Sequence, residues 1–200
     1  MGQRSQIYVK ITEENEVILL ANYYQYNYGE SMISRAKSGI EHIKYYLDTY
    51  AHNIICYNKS TKEKLRRYFD VDFDKKDTTT SIDIIKDYED CKEKYNLGEF
   101  NSYVFSEQDN NDGKLFIDVD YNTKTIKYCF TNRTMTRIMR AREYFNWDMK
   151  DNCLKNYEIE EVTENNIKFL NKNTKLMTKE ELQNFITTDY GYNKEEVPLF

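Results

Sequence analysis

Proline occurs once in 200 residues, at Pro198, and glycine only six times. So few breakers exclude a collagen-like or Pro-rich linker chain and leave long stretches free to run as helix or strand. No apolar run approaches the ~18–20 residues that a bilayer-spanning helix needs, and the N-terminus lacks the apolar core of a secretory signal. The expected setting is therefore the cytoplasm, with no membrane partner. Four cysteines, Cys56, Cys91, Cys129 and Cys153, are scattered without any C-x-x-C pair. That spacing predicts free thiols and no metal site. Neither a G-x-G-x-x-G nor a G-x-x-x-x-G-K-[ST] loop is present, so dinucleotide and P-loop chemistry are set aside and no cofactor is expected.

What the chain does have is aromatic bulk: 19 Tyr, 10 Phe and one Trp. Each ring can bury roughly 150–250 Å², which offsets an apolar content of only 40%. The formal net charge is −5. A surface devoted throughout to nucleic acid is disfavoured, because phosphate binding needs a concentrated basic field, although local basic patches remain open.

Periodicity predicts an α+β fold in which an antiparallel sheet built from hairpins is packed by several helices. Gln6 to Ile11 and Glu16 to Asn22 form an opening hairpin, with Ile7, Val9 and Ile11 on one face. The second strand, apolar on both faces, reads as central. Ile33, Ala36, Ile40, Ile43 and Leu47 make the stripe of a long helix. Ser60 with Glu63 forms a capping box for a second helix carrying Leu65, Tyr68 and Phe69, and Ile84, Tyr88, Cys91 and Tyr95 give a third stripe.

Phe100 to Phe105, Lys114 to Asp120 and Thr125 to Phe130 read as strands, with turns at 111–113 and 122–123. A helix is expected from Arg133 to Trp147, a short strand from Glu158 to Val162, a turn or two of helix from Asn165 to Leu170, and a last helix opened by Thr178 and Glu181. Residues 1–192 make one domain and 193–200 a loose tail.

Three groups offer themselves for chemistry. Asp118 and Asp120 share one strand face, as a divalent-cation site requires, but apolar-in, polar-out alternation accounts for both without a metal. His42 and His52 have no ligand or nucleophile at a useful spacing. The acidic run Asp70, Asp72 and Asp74 lacks the glycine and terminal glutamate of a calcium loop. No catalytic set emerges, and an enzyme is the less favoured class. A hydrolase with Ser5 or Cys56 as nucleophile would lack both the Gly-x-Ser-x-Gly elbow and an evident base.

Two stretches suit binding instead. On the helix expected from Arg133, the residues Arg133, Arg137, Arg140, Tyr144 and Trp147 fall on one face, opposite Met135, Ile138, Met139 and Phe145. Arginine forks and a Trp platform engage phosphates or acidic surfaces, while the alternative is an ordinary solvated face paired to carboxylates. Arg142, in the apolar sector, calls for a buried carboxylate or carbonyl. The second stretch is Tyr23, Tyr24, Tyr26 and Tyr28, between the central strand and the long helix. Its phenols offer rigid contact area to a partner or flat ligand, unless alternate tyrosines simply pack on the helix.

The opening Met1, Gly2, Arg4, the run from Leu19 through Tyr23, Tyr24, Gln25, Tyr26 and Tyr28 to Gly29, and the Met32 to Arg35 helix start resemble a group of small phage and prophage accessory proteins of Gram-positive bacteria. The resemblance covers about the first 45 residues well and the hairpin around Asn110 to Lys114 less well. It carries no functional residues with it. What it implies is a setting in the host cell cytoplasm, where accessory proteins of this kind antagonise host defence, as anti-CRISPR proteins do. The expectation is a non-enzymatic protein that binds a host protein or ribonucleoprotein effector, with nucleotide or nucleic acid open as partners, and the alternatives are a nucleotide-binding sponge or a hydrolase-like enzyme with no recognisable motif.

Overall fold

A computed structural model describes residues 4–49, 69, 81–91, 97–151 and 158–191. Among them the opening hairpin is present, β1 (Arg4–Glu13) pairing antiparallel with β2 (Glu16–Gln25) around Glu14. Helix α1 (Gly29–Thr49) follows and buries Ile33, Ala36, Ile40, Ile43 and Leu47, the predicted stripe. A short β3 (Ser81–Asp83) leads straight into α2 (Ile84–Cys91). Helix α3 (Leu97–Asn101) continues as a π-helical segment, Ser102–Glu107. Then come β4 (Lys114–Asp120), β5 (Thr125–Thr131), β6 (Ile138–Met139), α4 (Ala141–Asp151), α5 (Glu161–Asn173), β7 (Lys175–Leu176) and α6 (Lys179–Thr187).

The strands form one mixed, mostly antiparallel sheet in the order β3-β2-β1-β4-β5-β6, with β7 also on β5. Only the β1/β4 and β5/β7 pairs are parallel. The fold is α+β, as the periodicity indicates. The second strand is internal, flanked by β1 and β3.

Because side chains alternate, the register sorts them into two faces. One face carries Ile7, Val9 and Ile11 of β1, Leu115, Ile117 and Val119 of β4, and Ile126, Tyr128 and Phe130 of β5, all buried beneath α1, α4 and α5. The opposite face is built in rows. Gln6, Lys114 and Thr131 form the first, Tyr8, Phe116 and Cys129 the second, Lys10, Asp118 and Lys127 the third, and Thr12, Asp120 and Thr125 the fourth. Helices α2, α3, the π-helical segment and α6 cover the first two rows, where Tyr8 and Phe116 stack with ring centroids 4.9 Å apart and Phe185 meets Phe116 edge-on at 5.3 Å. The last two rows are only partly covered.

Three expectations are corrected. Phe100 to Phe105 is helical, not a strand: Phe100, Val104 and Phe105 are buried, a spacing of one helical turn that alternation cannot supply. The π-helical turn displaces carbonyls from the usual ladder, and side chains collect them, Tyr8 Oη donating to the Val104 oxygen at 2.7 Å and Lys114 Nζ to that of Phe105. Glu158 to Val162 is no strand, since α5 begins at Glu161, runs well past Leu170 and leaves Val162 exposed.

The third correction concerns Arg133 to Trp147, where the helix starts only at Ala141. Asn132 Oδ1 accepts the Arg137 N–H at 3.0 Å while its Nδ2 donates to the hydroxyls of Thr134 and Thr136, and Met135 takes a φ of +57°. Such side-chain bonds outcompete a helical ladder. The true start is marked by Glu143, which accepts the Arg140 N–H at 2.8 Å. The capping box at Thr178 and Glu181 is formed in full.

The capping box at Ser60, the residues Leu65, Tyr68 and Tyr95, the acidic run at Asp70, and His52, Cys56 and Cys153 lie outside the described residues, as does the tail. No helix among the described residues is long and apolar enough to cross a membrane.

Candidate binding site

The tyrosine stretch divides by strand alternation. Tyr24 is fully buried, with the Arg35 guanidinium 4.7 Å from its ring centroid, and belongs to the core. Tyr23 and Tyr28 are half-buried. Tyr26, with φ +56°, is 56% exposed and is the phenol of the group that solvent meets most. Asn27 turns inward and is locked by Ser5, whose Oγ donates to the Asn27 carbonyl at 2.6 Å. Ser5 is itself fully buried, so its hydroxyl faces protein and not a substrate.

The arginines do not share a helix face with Tyr144 and Trp147. Tyr144 is buried and stacks on Phe130 at 4.4 Å, donating its hydroxyl to the Asp112 carbonyl at 2.8 Å, and Trp147 packs half-buried beside it. Arg133, Arg137 and Arg140 stand instead on the 132–140 loop, all three exposed. The loop is held from beneath by Asn132, by β6 pairing with Phe130 and Thr131, and by Met135 and Ile138 packing on the core. No ion pair engages these three arginines among the described residues. Arg142, by contrast, has found its carboxylate, Glu164, though at a half-exposed position instead of a buried one. The Arg142 guanidinium holds the Glu164 carboxyl below its usual range.

Lys114 was not singled out by sequence, where it reads as the polar start of a strand. It is 1% exposed, lies in the row shared with Gln6 and Thr131, and spends one ammonium hydrogen on the Phe105 carbonyl. Burial, and then the nearby charge of Arg133, pull its pKa down to about 8. Nothing in one-dimensional alternation separates it from the half-exposed Lys10 two rows away. The difference is made by the π-helical segment that folds over one and not the other.

At the opposite end of the same face the uncovered rows line a cleft of about 410 Å³ with Lys10, Thr12, Asp118, Asp120, Thr125, Lys127 and Lys175. Its charges are largely spent internally. Lys10 pairs with Asp118 at 3.0 Å and Lys127 with Glu181 at 2.7 Å, and Asp120 accepts from the Asn122 and Thr123 amides of the following turn. Asp118 and Asp120 do share a face, but among the described residues no three His, Cys, Asp or Glu side chains converge as metal ligands. His42 sits with Nδ1 2.8 Å from the Ser38 carbonyl of its own helix.

The chain matches no protein-family model, and neither a curated protein nor a solved structure shows significant similarity to it.

Proposed function

We propose that this chain works by binding, as a phage or prophage accessory protein that inhibits a component of bacterial immunity by seating the 132–140 loop on an acidic surface of its target. The observation that carries the reading is the state of Arg133, Arg137 and Arg140. Among the described residues these three pair with no carboxylate, while Arg142, close by, pairs with Glu164. A guanidinium left unpaired on a braced loop keeps its forked donors available to a partner, and bracing lowers the ordering cost of association. Tyr26 offers a second contact, an exposed aromatic of the kind that anchors interfaces.

The test is Arg137→Ala with Arg140→Ala, and separately Tyr26→Ala with Tyr28→Ala, each assayed for melting temperature and for inhibition of host immunity by phage plating. The expected outcome is that the arginine pair folds with a melting temperature near the parent's and loses inhibition. Full inhibition by both pairs would remove the loop and the tyrosines from the function. A large melting loss in the tyrosine pair would return those rings to the core.

A further inference from the structure

The row beneath the loop is chemically incomplete. Lys114 Nζ carries three donors and, among the described residues, places one, on the Phe105 carbonyl. Its cross-strand neighbour on the same face, Thr131, is fully buried with a hydroxyl that has no hydrogen-bond partner among the described residues. Gln6, the third member of the row, bonds to neither of them. Its Nε2 donates to the Asp109 carbonyl and its Oε1 accepts from Asn110. Two residues past Thr131 stands Arg133, near enough that its charge acts on Lys114, and among the described residues no carboxylate offsets the repulsion.

A buried ammonium with unfilled donors, an orphan hydroxyl and a second cation close by all carry a cost in free energy. One kind of group removes all three costs together, an anion with several acceptor oxygens.

We propose that Lys114, Thr131 and Arg133 form a phosphate-binding subsite beneath the loop, and that the target engaged there presents a phosphate, as a nucleotide or a nucleic-acid strand does. The donor set favours phosphate over carboxylate. A lysine point charge, a hydroxyl and a guanidinium fork approach from separate directions, which suits a tetrahedral oxyanion better than a planar one. The inference rests on the binding role proposed above and narrows what is bound.

The test titrates the full chain, by calorimetry, with inorganic phosphate, a nucleoside triphosphate, a short single-stranded DNA oligomer and an acidic peptide free of phosphate. Lys114→Met and Thr131→Val are measured in parallel, with melting temperatures to certify folding. A phosphate-bearing probe is expected to bind the parent and to lose about tenfold or more in affinity in each variant, a buried charge-assisted contact being worth that much. Thr131→Val should keep or raise the melting temperature, since it removes an unpartnered hydroxyl, so its loss of binding cannot be ascribed to unfolding.

A nucleotide binding more tightly than the oligomer marks a nucleotide site, and the reverse order marks a strand site. No binding by any phosphate probe, binding indifferent to both variants, or preference for the acidic peptide overturns the inference. The arginine pair in the plating assay is read independently. Inhibition lost there with no phosphate binding leaves the binding role standing without this subsite, whereas inhibition retained there removes the role itself.

Discussion

Gly113 shows how closely the start of β4 is fitted. Its φ is +88°, and a Cβ added there would lie 2.3 Å from the Thr131 carbonyl oxygen, with Trp147 and Tyr144 close behind. The amide donates to Asn110 Oδ1 at 2.9 Å and the carbonyl accepts from Asn110 Nδ2, so neither backbone group can swing away without losing its partner. Gly113→Ala is therefore expected to cost about 2 kcal/mol or more, a sum of left-handed strain and backbone collision. Chemical denaturation reads it, and an unchanged midpoint would mean that the 109–113 turn relaxes freely. At Thr131 the cost lies in the hydroxyl, which is buried and not used among the described residues.

At the scale of elements, stability is concentrated where one helix covers many strands. Helix α1 lays Ile33, Ala36, Ile40, Ile43 and Leu47 across the apolar face of the sheet, each 3% exposed or less. Ile40→Asp puts an unpaired charge at the centre of that layer and should lose most of the folding free energy, seen as a collapse of the thermal transition. A melt indistinguishable from the parent would take α1 off the sheet. This helix was legible in the sequence because it buries one continuous stripe whose periodicity records that burial directly, and the β1–β2 and β4–β5 hairpins were legible because β-branched and aromatic runs flank short turns. The 100–105 and 133–140 segments were not legible, for two different reasons. In the first, aromatic and β-branched residues mimic a strand while the buried positions follow a helical turn. In the second, Arg137 and Arg140 do fit a helical wheel, but Asn132, Thr134 and Thr136 supply local bonds that the wheel ignores. The arginines were thus found for a reason that does not hold and sit on a loop. Lys114 and Thr131 were missed because their burial is tertiary, for Lys114 from the π-helical segment whose Phe105 carbonyl it meets, and is not recorded in their own pattern.

For the molecule as a whole, the polar groups it buries are written into how its stability responds to alkali. Lys114 has a folded-state pKa of about 8, below the ordinary lysine value of 10.5. Between those limits the unfolded chain holds the proton that the folded chain has released, so stability rises with pH in that window, by on the order of 3 kcal/mol in total. Below about pH 8 both states are charged and the penalty is fully present. The buried tyrosines act in the opposite sense. Burial raises the phenols of Tyr8, Tyr121, Tyr128, Tyr144 and Tyr190 above the ordinary value of 10.0. Their contribution is complete below pH 10 and is lost above it, as the unfolded chain ionises first, at about 1.4 kcal/mol per pH unit for each tyrosine that remains protonated when folded. The buried Cys129 thiol, also raised by burial from an ordinary value of 9.0, offsets the lysine's gain above about pH 9, and beyond pH 10 the five phenols outweigh it. Together these effects place the maximum between about pH 9 and 10, followed by a steep fall. Urea denaturation across pH 7 to 11, for the parent and for Lys114→Met, separates them. The parent is expected to gain on the variant with each step from pH 8 to 10 and the two curves to fall in parallel above it. A parent-minus-variant difference that stays flat through pH 8 to 10 would mean that the Lys114 ammonium already has its acceptors in the free protein, and with that the case for an anion beneath the loop would lose its physical basis.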